Sequence, residues 1–179
     1  MKEDQTFGKA FIAFSREKLP KGLLPKLVYC LTLLPEEEIW RRPNENVNSV
    51  GNIILHLSGN VRQWITSGIG GAEDIRNRPE EFKREFSLPK EELLKKIENV
   101  VKEADGVLAR LDPRLLGDVK TIQGYEESCM DAIYHVVEHF AYHLGQVVHV
   151  TKAALNIDLG FTHLTPEGYK PNSIYNKYI

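Results

Sequence analysis

Apolar residues recur at three- and four-residue spacing through four long stretches of the chain, while runs that alternate in the manner of a strand are few. The first stretch covers about residues 5–34, with Phe7, Phe11, Phe14, Leu23, Leu24, Leu27, Leu31 and Leu34 as its candidate buried stripe. Pro20 and Pro25 fall inside it. Each removes a backbone donor, which predicts a kink or two abutting helices. "LPEEEIWRRPNENVNS" then reads as a connector ending in an N-cap at Asn48 or Ser49.

The second stretch covers residues 50–67, where Ile53, Ile54, Leu57, Val61, Trp64 and Ile65 keep the spacing of an amphipathic helix. "GIGG" ends it. That glycine cluster is no dinucleotide fingerprint, because Glu73 stands where the third glycine belongs and no strand precedes it. The third helix is expected from "SLPKEELL", with Ser87 as its cap and Pro89 and Glu91 in its first turn. Its core face comprises Leu93, Leu94, Ile97, Val100, Val101, Ala104, Val107 and Leu108, and Asp112–Pro113 closes it. A fourth helix is expected over residues 125–155. The remaining residues, 156–179, hold Phe161, Tyr169, Tyr175 and Tyr178. Disordered tails are poor in aromatics, so this tail is expected to pack across the body. The pattern predicts one all-α domain over residues 1–179, built as a helical bundle.

Composition narrows the function classes. A chain of 179 residues buries a continuous core, and 42% hydrophobic with 27% charged residues is ordinary for a globular protein. A net charge of −2 leaves no electrostatic footprint for nucleic acid. The nearest basic cluster, Arg76, Arg78, Lys83 and Arg84, is interrupted by Glu80 and Glu81 and reads as a solvated connector. No stretch reaches the ~18 apolar residues a membrane span needs, and the N-terminal residues carry acids without a signal-peptide core. The expected compartment is the cytoplasm. Cys30 and Cys129 are too few for a disulfide framework or a thiolate zinc site, and both read as buried structural cysteines.

The chemistry concentrates in "HVVEHFAYHLGQVVH", residues 135–149, which holds four of the six histidines. Asp131, His135, His139 and His143 are each four apart, so they wind slowly along one helix face at about 40° per step. Gln146 falls within about 20° of His139 on that wheel, and His149 lies well off it. Two histidines at i, i+4 can place ring nitrogens on one ion about 2.0–2.1 Å away, given a third ligand from elsewhere. His56, midway along the apolar second helix, is the candidate. The alternative is a buried hydrogen-bond ladder in which Asp131 accepts from His135. Burying several imidazoles without partners is costly, and an ion would satisfy three at once. Three neutral imidazoles without a thiolate suit zinc, nickel, iron or manganese. No histidine has a glutamate three residues before it, and H-E-x-x-H and G-x-S-x-G are absent. Ferritin-like di-iron, zincin and serine-hydrolase readings are therefore disfavoured.

"EHFAYHLGQVVH" resembles the fourth-helix signature of the DinB/YfiT-like superfamily, H-x-x-x-H-x-G-Q, and "LHLSGNVRQWI" resembles its second-helix segment with one isolated ligand histidine. The resemblance covers about residues 5–155. It implies a four-helix bundle, commonly a homodimer, holding a divalent metal on His56, His139 and His143, with His135 and Gln146 beside the site. It also implies chemistry seen in several relatives, a metal-dependent S-transferase joining a low-molecular-weight thiol to a small electrophile. In that reading Asp131 or His135 orients a ligand imidazole, and Arg62 and Trp64 are candidates to contact the cosubstrate. Two rivals remain open. A metal-dependent hydrolase would need a base, for which Asp131 is the sequence candidate. A non-catalytic bundle would either hold a structural ion, which needs a fourth ligand, His135 or Asp131, or bind a partner protein through its exposed surface.

Overall fold

The computed structural model describes residues 2–84, 87–166 and 168–171, and the protein is mostly helical. Helix α1 (Lys2–Glu17) passes through a π-helical segment, Lys18–Leu23, into α2 (Leu24–Leu33). Pro20 interrupts the ladder there, and Pro25 sits in the first turn of α2. Leu27, Leu31 and Leu34 are fully buried as expected. Phe7 and Phe14 are not: both are about two-thirds exposed, because the face of α1 that meets the body carries Ile12, Ser15 and Arg16 instead. Arg16 ties α1 to the third long helix through a bidentate pair with Asp105 at 2.8 and 3.0 Å.

The connector after α2 holds a short helix, α3 (Glu36–Trp40), before α4 (Val50–Val61). Ser49 caps α4, its hydroxyl accepting from Asn52 N at 3.2 Å. Nearly every residue of α4 is buried, because it packs on both α5 (Lys90–Arg110) and α6 (Cys129–Leu155), while α2 contacts the same pair. The apolar run of the second stretch continues beyond Val61 as a π-helical segment, Arg62–Ile69, ending at the glycines. Gly51 is required on α4: a Cβ there would lie 2.6 Å from the Trp40 ring, whose Nε1 donates to Leu88 O. Gly51→Ala is expected to cost about 1–3 kcal/mol by overpacking, read as a lower thermal midpoint beside wild type.

The third and fourth stretches start later than their patterns predict. Ser87 does not cap α5; Pro89 occupies the cap position without a side-chain bond. Residues 125–128 are not helical. They form β2 (Tyr125–Ser128), paired antiparallel with β1 (Val119–Ile122) across Gln123–Gly124, both at positive φ. Two positive-φ residues match the twist of a two-residue hairpin, and this local geometry overrides the helical pattern. Ser128 then caps α6, accepting from Asp131 N. Beyond α6, Leu159 is buried and the Phe161 ring meets Tyr29 edge-on at 6.2 Å. A second hairpin pairs β3 (Thr162–Thr165) with β4 (Gly168–Pro171). Tyr175, Tyr178 and the side chain of Tyr169 lie outside the described structure. No helix among the described residues is long and apolar enough to cross a membrane. Cys30 and Cys129 are buried and free, and burial pushes the Cys30 thiol up to about 11.

Candidate metal centre

Helices α4 and α6 face one another, and each delivers histidines into the seam. His56 stands midway along α4 and is buried; His139 and His143 are successive turns of α6 and half-buried. One ring nitrogen from each lies within 4.8 Å of the others, close enough to hold a single metal ion. His56 Nε2 and His139 Nε2 are 2.8 Å apart. Two imidazole nitrogens sharing a tetrahedral zinc-like ion sit about 3.3 Å apart, so a small ring rotation separates a hydrogen-bonded pair from a ligating one.

The far nitrogens of two rings are held. Gln146 lies 2.8 Å from His143 Nδ1 through its side-chain oxygen, so that ring donates from Nδ1 and keeps its lone pair on Nε2. His56 Nδ1 lies 2.9 Å from Glu81 Oε2 and 3.2 Å from Arg76 Nη2. Glu81 is gripped in turn by Arg76, whose Nε and Nη2 donate to its two oxygens at 2.7 and 2.9 Å. Both side chains are inside the protein, Arg76 4% and Glu81 8% exposed. Burial alone would raise the Glu81 carboxyl, but the bonds from Arg76 and His56 outweigh it and hold it low.

The stretch read as a solvated connector is therefore part of the centre. Arg76 and Glu81 leave the surface, while Arg78 stacks toward Phe82 and Lys83 pairs with Glu80 at the surface. Phe82 sets its ring 5.0 Å from that of His56. Asn52 Nδ2 donates to Glu81 O and Lys83 O, and Arg42 donates to Phe82 O, so the backbone behind Glu81 is anchored at three carbonyls. Sequence reasoning missed Glu81 and Arg76 because their charges read as hydrophilic. The signal was Gly59, three residues past His56 in an apolar helix. A Cβ there would lie 2.0 Å from Glu81 Oε1, and a glycine inside a helix marks such a close approach.

The other sequence candidates fall in different places. His135, one turn before His139, stacks on its ring at 5.2 Å, with Trp64 4.1 Å away and Asn60 Nδ2 3.2 Å from its Nε2. It stands beside the trio, outside the nitrogen cluster. Asp131 is exposed at the start of α6 and accepts from Ser128 at 2.5 Å, so a helix cap stands in place of the bond from His135 that the alternative ladder needs. Arg62 donates to Glu73 O and toward Ser67, and Trp64 is 4% exposed, buried against His135.

The donor set fits a divalent cation. Burial, with the neighbouring His143, His56 and His135 adding to it, pushes His139 down to about 3; burial also lowers His143 and His135. The rings are thus neutral and carry lone pairs at neutral pH. A folded-state value below the unfolded 6.5 means stability is intact above about pH 6.5 and is lost as pH falls from there toward 3. Metal-stripped protein should show a lower urea midpoint at pH 5 than at pH 7.5, and a smaller difference in His139→Gln.

No curated protein matches the chain in sequence. The family described as "Protein of unknown function (DUF1572)" matches residues 9–165, a span that contains the three histidines together with Arg76, Glu81 and Gln146, and the chain belongs to that family.

Proposed function

We propose that the protein is a four-helix bundle of DinB/YfiT-like type that uses a divalent ion on His56, His139 and His143 to transfer a low-molecular-weight thiol to a small electrophile. The observation that carries the reading is the convergence of three imidazoles from two helices, two of them held from behind by an acceptor. Glu81 and Gln146 orient the rings, and Arg76 keeps Glu81 anionic. A bound cation there supplies the positive charge that favours the thiolate over the thiol.

The chain's own groups define the rest of the reaction space. His135 receives Asn60 Nδ2 at Nε2, which leaves its ring proton on Nδ1 as a donor one turn from the trio. Trp64 covers that ring and excludes water from one side. In the transfer the S–H bond breaks and an S–C bond forms at the electrophile. The leaving group departs with its bonding pair, and one proton is released overall. Against the hydrolase reading, Asp131 is capping a helix at the surface. Against a closed structural site, neither Asp131 nor His135 joins the nitrogen cluster.

The test is turnover of an electrophilic chromophore with a panel of small thiols by protein loaded with zinc, nickel or manganese. Thiol-dependent turnover that disappears in His139→Ala supports the reading. Turnover of esters without thiol, or thiol transfer that persists in metal-free His139→Ala, would overturn it.

A further inference from the structure

We propose that Glu81, locked by Arg76, is the positioning residue of the centre: it holds His56 in the Nδ1-protonated tautomer, with the Nε2 lone pair turned toward His139. This deepens the metal-dependent reading and rests on it for its consequence, a stronger cation site, while the tautomer belongs to the metal-free protein.

Three independent features are built around this one contact. The first is the bond itself, His56 Nδ1 to Glu81 Oε2 at 2.9 Å, closer than Arg76 Nη2 at 3.2 Å from the same nitrogen, in a setting where both the His56 and Glu81 side chains are 8% exposed. The second is the space made for it. Gly59 lets the carboxylate lie directly against α4, since a Cβ there would sit 2.0 Å from Oε1. The third is the support behind it. Asn52 and Arg42 grip the backbone at residues 81–83, and Arg76 fixes both carboxylate oxygens while its Nη1 donates to Gln63 Oε1 at 2.7 Å.

Stability alone does not account for such an arrangement. A buried ion pair loses its hydration and is often no better than apolar side chains of the same volume. Orientation does account for it, because a carboxylate on the far nitrogen settles which nitrogen of a ligating histidine keeps its lone pair. The same neighbourhood borders a cavity of about 440 Å³ between α4 and α5, lined by Arg76, Glu81 and Gln63.

The experiment is ¹⁵N–¹H correlation spectroscopy of the histidine rings in metal-free wild type, Glu81→Gln and Glu81→Ala, alongside cobalt(II) titration of each by visible absorption. Wild type should show His56 protonated at Nδ1. Glu81→Ala should give mixed tautomers and about 10–100-fold weaker cobalt binding. Glu81→Gln, whose side-chain oxygen still accepts, should restore the tautomer and most of the affinity. An Nε2-protonated His56 in wild type overturns the proposal whether or not either variant folds, as does Glu81→Ala with wild-type tautomer and affinity. If wild type binds no cobalt while its His56 tautomer depends on Glu81, the positioning role stands and the metal reading fails.

Discussion

His56→Ala is expected to weaken binding of zinc or cobalt by about two orders of magnitude or more while leaving the helical spectrum intact. A structural zinc site contributes about 10–16 kcal/mol over its full ligand set, so one imidazole carries on the order of 3 kcal/mol. The loss is larger than for a variant on α6 of the same type, because His56 is the one member of the histidine trio that α4 supplies. Without it His139 and His143 remain as an i, i+4 pair on a single helix. Removing His56 also leaves Glu81 with Arg76 as its one remaining side-chain partner among the described residues. Competition titration against a chromogenic chelator, run on metal-stripped wild type and variant, measures the effect. Equal affinities would mean that any bound ion does not bridge α4 and α6.

Arg76→Met should be the most destabilising single change in the connector, by about 3–5 kcal/mol, because it strands an ionised carboxylate inside the protein. Arg76 contributes two side-chain bonds to Glu81 beside the one from His56, and its own side chain is almost wholly enclosed. The double variant Arg76→Met/Glu81→Leu should recover most of that loss, since two apolar side chains replace the pair without a charge to desolvate. It should not recover cation affinity, because His56 would still lack its acceptor. Denaturant unfolding of the two variants, paired with cobalt titration, separates the contributions. If Arg76→Met cost less than about 1 kcal/mol, the carboxylate would have another route to water or a proton.

Much of the site was readable in the primary structure because helices impose short, regular spacings. His139 and His143 had to be neighbours as soon as their segment was helical, and Gln146 had to fall beside them. The cap at Ser49 and the break around Pro20 are local in the same sense, set by groups within a few residues. Errors arose where local pattern and context disagreed. Tyr125–Ser128 satisfied a helical pattern but pairs with Val119–Ile122 through a turn whose positive φ values the pattern does not register. Phe7 and Phe14 kept core spacing on a helix whose inward face is set by what α5 presents to it. Asp131 shared the histidine stripe by periodicity, yet its position in the first turn of α6 gives its carboxylate the hydroxyl of Ser128.

The chain by itself determined the helical periodicity, the histidine spacing on α6, and the placement of a lone histidine inside an apolar α4. These follow from geometry that repeats every few residues. Only the tertiary structure decided that Arg76 and Glu81 turn inward. Their burial depends on contacts among residues separated by 22 to 40 positions, including Gly59, Asn52 and Arg42. A charged side chain looks the same in sequence whether water or a buried partner receives it. Which of the two does so is settled when α4 and its connector close on one another, because the desolvation cost of the carboxylate is offset only by a guanidinium and an imidazole already in place.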